Sequence, residues 1–259
     1  MAVGIIVILS AVILFAGRSG KRDLPEILKD GRLYVLVESG EHGFTKDSLK
    51  VYGFQYDIIK LFSNSIGAEL VVINEENTKD GIRELTKGRC DVLVSLRPVE
   101  NDTTLPVRYL RPVISTRLML VQRKDSTGKS MVTKQYELDK DTIMLMPNSP
   151  YSSRLQDLSD EMAATIILQE LDRESLDDMV RMVSEQECRY TVCPEYLASK
   201  LMSRYPDVDI SLPLSYRQDL SWCVNAHSVK LYEKLNNFLS EFVITPEYQQ
   251  LYRQYFVNK

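Results

Sequence analysis

Hydrophobic positions follow two alternating periods along most of the chain. Short apolar runs such as RLYVLVES, AELVVI and CDVLVS have the length of buried strands, and the stretches between them place apolar residues three or four positions apart, as in a helix. The helix predicted after Gly53 ends at Gly67, where a terminating glycine is expected, and one of its faces is apolar: Ile58, Ile59, Leu61, Phe62 and Ile66. The order strand, helix, strand, helix, strand predicts a mainly parallel sheet covered by helices.

A second set of alternating elements follows the polar stretch QRKDSTGKS. TIMLM, ATIIL and YTVC are predicted strands, SSRLQDL begins a helix, and SLDDMVRMV has helical spacing behind a capping serine, Ser175. DLSWCVNA is predicted as one further strand. The segments LTKGRCDVLVS and VSEQECRYTVC both run helix, cysteine, strand. The chain is therefore predicted to fold as two similarly built lobes.

Residues 2–17 show neither period. They are apolar without a charged residue, and Arg18, Lys21 and Arg22 follow them. A run of this length is typical of the core of an export signal and is marginal for a membrane-spanning helix. We expect residues 1–22 to be a signal peptide or an inner-membrane anchor, and the rest of the chain to be periplasmic. A buried core helix is disfavoured because no charged residue interrupts the segment.

Composition and charge narrow the range of functions. The 259 residues suffice for one large domain or two lobes, and the net charge is −4. No block of Lys and Arg is long enough to follow a phosphate backbone, so nucleic acid is not an expected partner. Only two histidines are present, and neither an HExxH motif nor a nucleophile elbow occurs, so no catalytic residues are predicted.

The four cysteines lie within or next to apolar runs: Cys90, Cys188, Cys193 and Cys223. No CxxC motif is present, and the spacing is not that of metal ligands, so neither a metal nor another cofactor is predicted. An exported protein could pair its cysteines. Buried free thiols are the favoured interpretation because a small apolar Cys packs well in a core.

Three segments, in their order and spacing, resemble the family 3 extracellular solute-binding proteins: YGFQYDIIKLFSNSIGAELVVI, GIRELTKGRCDVLVS and LPVRYLRPVISTRLMLVQRK. The positions that match the family's pattern are Gly53–Asp57, Gly88–Val92 and Tyr109–Val113, and the resemblance covers most of the chain after about residue 24. In such a fold Gly53 lets the chain turn, and we expect Phe54 and Tyr56 to pack that turn into the core rather than to line a ligand site.

The resemblance implies an α/β fold of the two-lobed, type II periplasmic-binding-protein kind, in which a ligand is trapped between hinged lobes. We expect a discontinuous first lobe of residues 23–122 and 218–259 and a second lobe of residues 123–217. The hinge is expected to include Gln122–Asp125 and a return strand near Leu214–Asp219.

The segment NSPYSSRLQDL is similar to the binding domain of membrane-bound lytic transglycosylase F. The catalytic domain that normally follows in that family is not expected here, because the chain stops at Lys259. Three functions remain open. The first is a solute receptor that serves an importer with an ABC permease, and the second is a non-catalytic sensor of cell-wall peptide fragments. The third is a dehydratase of the cyclohexadienyl type, which the shortage of acid–base groups disfavours.

The resemblance also implies a zwitterionic ligand. Its carboxylate would be held by an Arg of the first lobe, and its ammonium by an acid of the second lobe. The family's Arg position falls near Thr103 and the position of its acid near Pro194. This chain therefore has neither the Arg nor the acid at the family's usual position. Arg97 and Arg117 are the candidate replacements for the Arg and Glu195 for the acid. Alternatively, both Arg are solvated surface residues and Glu195 is a first-turn acid that favours the helix dipole.

Further candidates lie where strands end and helices begin. The turn into the second-lobe helix offers hydroxyls and amides that suit a carboxylate, the loop after the first strand is a candidate by position alone, and a serine ends the strand DVLVS. These candidates are Asn148, Ser149, Tyr151 and Ser152 in the turn, Glu38, Ser39 and Phe44 in the loop, and Ser95 at the strand end.

Overall fold

The computed structural model describes residues 21–257 except for a few short stretches: 41, 48–49, 76–80, 97–103, 148 and 174, with only the backbone of 74–75. Of the predicted features, the apolar segment 2–17, Arg97 and Asn148 lie outside the described residues. In the part of the chain that is described, none of the helices is long and apolar enough to cross a membrane.

The chain forms two units, each built from separate parts of the sequence. Unit 1 comprises the described residues of Met1–Ile114 and Asp219–Tyr255, and unit 2 those of Ser115–Gln218 and Phe256–Lys259. The first division therefore lies earlier than the predicted boundary after residue 122. The reason is that the strand Leu118–Arg123 pairs with two other strands of unit 2.

Unit 1 contains a five-stranded sheet in the order β4-β1-β5-β14-β6. The elements before the first division are α1 (Leu24–Asp30), β1 (Arg32–Glu38), β2 (Thr45–Lys46), β3 (Val51–Tyr52), α2 (Phe54–Ser65), β4 (Glu69–Glu75), α3 (Gly81–Thr86), β5 (Val92–Val94) and β6 (Val107–Tyr109). Those after the chain returns are β14 (Cys223–Asn225), α7 (Val229–Phe242) and α8 (Pro246–Phe256). β1 runs parallel to β4 and β5, and β14 runs antiparallel to β5 and β6.

Unit 2 repeats this arrangement in the order β10-β9-β11-β8-β12. Its elements are β8 (Leu118–Arg123), a 3-10 helix (Gln135–Leu138), β9 (Thr142–Leu145), α4 (Ser152–Glu161), β10 (Ile167–Glu170), α5 (Leu176–Ser184), β11 (Tyr190–Pro194), α6 (Glu195–Arg204) and β12 (Val208–Asp209). β9 is parallel to β10 and β11, and β8 is antiparallel to β11 and β12. The expectation of two similarly built lobes is confirmed, although in each sheet one strand, β14 in unit 1 and β8 in unit 2, runs opposite to the other four.

The segment Gln122–Asp125, predicted as part of a hinge, lies within unit 2. The buried amide of Gln122 donates to Val132 O at 2.7 Å and to Asp209 Oδ2 at 3.2 Å, and its Oε1 accepts from Val132 N at 2.8 Å. The chain passes between the units along two short strands that pair with each other, β7 (Ile114–Thr116) and β13 (Gln218–Leu220), and β13 overlaps the predicted return strand near Leu214–Asp219. The single strand predicted for DLSWCVNA is therefore two strands, because β13 pairs with β7 and β14 with unit 1's sheet.

The aromatic turn before α2 is held in the core of unit 1. Gly53 has a φ of 154°, and a Cβ there would lie 2.1 Å from the carbonyl oxygen of Gly43, so no side chain fits. Phe54 and Tyr56 are buried, as predicted. The Phe54 ring contacts the α8 rings edge-on, with centroid distances of 6.1–6.5 Å. These contacts bind the start of α2 to the end of the chain.

Candidate functional site

Two of the predicted site residues meet at the strand ends of unit 1. β1 and β5 are parallel neighbours with Val37 opposite Val94, so the residues that follow them, Glu38 and Ser95, lie side by side. The Ser95 hydroxyl donates to Glu38 Oε1 at 2.9 Å. Ser95 is buried, whereas Glu38 is half-buried. The pair places a partly accessible carboxylate at the carboxyl edge of the sheet, where ligands of α/β folds bind.

Phe44 and Ser39 shape the loop that follows β1. The two residues form a single parallel bridge, and Phe44 N donates to Glu38 O at 2.9 Å. The Phe44 ring is buried and meets the Tyr56 ring edge-on at a centroid distance of 5.3 Å. The ring therefore packs within unit 1, where it holds the loop beside Glu38.

Arg117 and Glu195 come together in unit 2. Leu118 of β8 pairs with Pro194 of β11, so the residues just beyond that pair are adjacent. Glu195 N donates to Arg117 O at 2.9 Å, and Arg117 Nε lies 4.0 Å from Glu195 Oε2. Arg217 completes the group, with its Nη2 3.3 Å from the same Oε2 and 3.5 Å from Oε1. Glu195 is the first residue of α6 and does not cap it; the N-cap residue, Pro194, makes no side-chain capping bond.

Sequence interpretation missed Arg217. The available signal was its position within the return strand predicted near Leu214–Asp219, but nothing local indicates that this position meets the start of α6. The two segments lie 22 residues apart in sequence. Non-local contacts with β8 bring them together: β8 pairs with β11, and Leu214 N donates to Leu118 O at 2.7 Å beside a bridge between Met119 and Pro213.

The turn before α4 contains the remaining candidates of unit 2. Ser149 N donates to Met146 O at 3.1 Å, Ser149 Oγ accepts from Tyr151 N at 3.3 Å, and Ser149 O accepts from Ser152 N at 3.3 Å. Tyr151 is half-buried and packs against a core cluster of unit 2. The structure therefore joins Ser149, Tyr151 and Ser152 in one turn, in which the Ser149 hydroxyl folds back on the backbone.

The four cysteines are buried free thiols, which confirms their predicted burial. Burial raises the pKa of the Cys188 thiol to about 11 and that of the Cys193 thiol well above its usual range. Thiols held in this way are poor nucleophiles. Among the described residues, no group of three or more His, Cys, Asp or Glu side chains is placed to hold a metal ion.

Comparisons with known proteins identify relatives of both units. Residues 35–258 match the bacterial extracellular solute-binding proteins, family 3. The chain is 24% identical over 235 residues to a protein named membrane-bound lytic murein transglycosylase F from Pseudomonas fluorescens strain Pf-5, with 90% of this chain and 48% of that protein covered. A protein of the same name from Desulfosudis oleivorans is 22% identical over 240 residues, with 92% and 52% covered. The chain spans about half the length of these curated relatives.

Solved structures share the fold at low sequence identity. A Bacillus subtilis protein superimposes with a TM-score of 0.75 at 14% identity, covering 91% of this chain and 93% of that one. An ancestral cationic amino acid solute binding protein gives 0.71 at 19% identity, covering 90% and 99%. An ancestral arginine-binding protein bound to arginine gives 0.66 at 17% identity, covering 87% and 98%. These likenesses confirm the predicted fold type, and the family match confirms the resemblance drawn from the three sequence segments.

Proposed function

Because the chain belongs to the bacterial extracellular solute-binding proteins of family 3, we propose that it binds a small polar solute, amino-acid-like or peptide-like, outside the cytoplasm without transforming it. The observation that carries the proposal is the family match, which extends over both units. The geometry agrees with it, since each unit presents charged and hydroxyl groups at its strand ends. Such groups suit a polar guest better than an apolar one.

The proposal is tested by screening the full chain, purified in mild detergent, for thermal stabilisation by amino acids and muropeptides. A solute at a hundred times its dissociation constant stabilises a protein by about 2.7 kcal/mol. For a chain of this size that corresponds to a rise in Tm of roughly 5–10 °C. A complete set of amino acids and cell-wall peptides that leaves Tm unchanged would contradict the proposal.

The residues proposed to contact the solute are tested with any compound that stabilises the chain. Arg97→Ala and Arg117→Ala are each expected to weaken its binding. Arg189→Ala is the matched control, because Arg189 is an exposed arginine of unit 2 that pairs with Asp141 at 2.7 Å. The assignment of an arginine clamp fails if neither of the first two substitutions weakens binding more than the control does.

A second candidate function is a non-catalytic sensor of cell-wall peptide fragments. The observation in its favour is that the curated relatives are named membrane-bound lytic murein transglycosylase F and are matched over only about half their length. Preferential stabilisation by muropeptides would support this function. Preference for free amino acids, together with co-purification of a permease from the native membrane, would support a receptor that serves an importer.

We also propose that residues 1–22 direct export of the chain or anchor it to the inner membrane. The word membrane-bound in the relatives' names and the uncharged apolar run of residues 2–17 support this. Expression in a bacterial host with a C-terminal tag tests the proposal: the chain is expected in the periplasm or in the alkali-resistant membrane fraction. Replacement of two central apolar residues by Arg should shift it to the cytoplasm.

A further inference from the structure

The carboxylate of Glu195 is shared between two guanidinium groups. Arg217 Nη2 lies 3.3 Å from Glu195 Oε2, and Arg117 Nε lies 4.0 Å from the same oxygen. The side chains of Arg117, Glu195 and Arg217 are 39%, 32% and 51% exposed. The two arginine side chains are therefore open to solvent, whereas the Glu195 oxygen between them, Oε2, is itself buried.

This trio carries an excess of positive charge. One carboxylate cannot neutralise two guanidinium groups, so the three side chains sum to one unit of positive charge. The group lies at the first turn of α6, a helix of 10 residues, where the helix dipole adds a further positive contribution. The Glu195 amide is already engaged with Arg117 O at 2.9 Å, so the side chains, and not that amide, are what the group presents.

We infer that the two guanidinium groups of this trio receive an anionic group of the solute, a carboxylate or a similar oxyanion, in competition with the Glu195 carboxylate beside them. The inference rests on the proposed function and assigns a ligand chemistry to unit 2. This role of the site is opposite to the one expected from the sequence, in which Glu195 binds an ammonium group. An ammonium group that approached Glu195 would also approach two guanidinium groups, and one like charge at about 4 Å weakens binding about fivefold even in water. An oxyanion instead gains the planar, two-pronged donor geometry of arginine.

The probe ions acetate and methylammonium test the inference on the full chain in detergent. The Nε–H resonances of Arg117 and Arg217, assigned by their loss in Arg117→Lys and Arg217→Lys, are followed at constant ionic strength. Acetate is expected to shift both resonances along a saturable curve, and methylammonium is expected to leave them unchanged. The Arg189 resonance is the internal control, because its guanidinium is exposed and paired with a single carboxylate, that of Asp141. Shifts caused by methylammonium alone, or acetate shifts no larger than those of Arg189, would overturn the inference.

Glu195→Gln tests whether the Glu195 charge weakens or strengthens acetate binding. Removing the competing carboxylate should tighten acetate binding about fivefold, whereas Arg217→Gln should weaken it by a similar factor. Glu195→Asp keeps the charge and should bind acetate within about twofold of the parent chain. If Glu195→Gln melts at the parent temperature and yet binds acetate more weakly or equally, the inference is wrong.

The outcomes separate this inference from the proposed function. If acetate binds saturably but no amino acid or muropeptide stabilises the chain, the proposed function is contradicted and this inference is not. A stabilising amino acid whose binding is lost in Glu195→Gln would support the proposed function and contradict the anionic role of the trio.

Discussion

Unit 1 and unit 2 place different polar chemistry at matching positions of the same sheet. In each unit a buried cysteine and one further residue precede the third parallel strand. That further residue is Asp91 before β5 in unit 1 and Arg189 before β11 in unit 2. Asp91 is buried; its Oδ2 accepts from Tyr34 N at 2.9 Å, and its Oδ1 lies 3.7 Å from Arg22 Nε. Arg189 is exposed and pairs with Asp141. The shared helix–cysteine–strand pattern therefore predicts the strand. It does not predict whether the polar residue between the cysteine and the strand is buried.

The strand ends differ in charge as well. The described strand ends of unit 1 present Glu38, bonded to Ser95, whereas those of unit 2 present Glu195 between Arg117 and Arg217. One scaffold thus offers a negative group in the first unit and a positive excess in the second.

The largest expected effect concerns how α2 of unit 1 and α4 of unit 2 begin. Gly53→Ala should destabilise the chain by about 4 kcal/mol, because the new Cβ would combine backbone strain with an overlap against the carbonyl of Gly43. α4, the matching helix of unit 2, begins without a glycine, after Tyr151 in a right-handed conformation. Urea unfolding measures the loss of stability.

Gly67→Ala is the matched control for that substitution. Gly67 has a φ of 67°, but a Cβ there would meet nothing within 4 Å, so only strain of about 1 kcal/mol is expected. Equal losses for the two substitutions would show that the close approach of Gly53 to Gly43 is unimportant.

The next effect contrasts the residues that follow Cys90 and Cys188. Asp91→Ala should lower the free energy of unfolding by about 3 kcal/mol, because it leaves Tyr34 N and the largely buried Arg22 without this partner. Arg189→Ala removes an ion pair whose arginine is 64% exposed and a cation–π contact with the Tyr190 ring, and it should lower the free energy of unfolding by about 1 kcal/mol. Comparable losses in urea unfolding would remove this distinction between the units.

A smaller effect distinguishes two fully buried glutamines. Gln122 of unit 2 makes three side-chain hydrogen bonds, and Gln122→Met should destabilise by about 2–3 kcal/mol. Gln55 of unit 1 accepts from Trp222 Nε1 at 3.0 Å, but its Nε2 has no partner among the described residues. Gln55→Met should cost less, about 1–2 kcal/mol, because it leaves the buried Trp222 N–H without this acceptor but also removes an unpartnered buried amide. If Gln55→Met lowered the calorimetric Tm more than Gln122→Met does, this prediction would be wrong.

The smallest effect is a difference in the sign of the pH dependence. Burial raises the pKa of Asp57 in unit 1, although Tyr255 donates to it, whereas the backbone amide of Lys129 and the Thr127 hydroxyl lower the pKa of Asp125 in unit 2. As the pH rises through the ordinary carboxyl range, the contribution of Asp57 to stability should fall and that of Asp125 should rise. The stability of the parent chain minus that of Asp57→Asn should thus decrease with pH, and the difference for Asp125→Asn should increase. Parallel trends in urea unfolding would contradict the assignment.

Local signals in the sequence predicted much of the fold. Gly67 follows the end of α2, and Ser175 caps α5 by accepting from Asp178 N at 3.2 Å, as its spacing indicated. The aromatic residues after Gly53 are buried in the core. Each of these features depends on residues within about four positions of one another, which is the range over which helix and turn preferences act.

These local signals do not predict which strands pair when the strands lie far apart in the sequence. β8 is an apolar run that could have belonged to either sheet, and its partner β11 comes some 70 residues later. The split between β13 and β14 was missed for the same reason, since it follows from pairing with strands far along the chain. In the candidate site, the meeting of Glu38 with Ser95 follows from parallel strand order, but the approach of Arg217 to Glu195 does not.

The interrupted layout of unit 1 has a consequence for biosynthesis. Its sheet needs β14 between β5 and β6, and β14 is translated only after nearly all of unit 2. β14 begins about 130 residues after β5 ends, and at about 5–20 residues per second these take roughly 6–26 s to synthesise. During those seconds the nascent chain carries an open β5 edge, which a chaperone or an export factor could cover before the sheet closes.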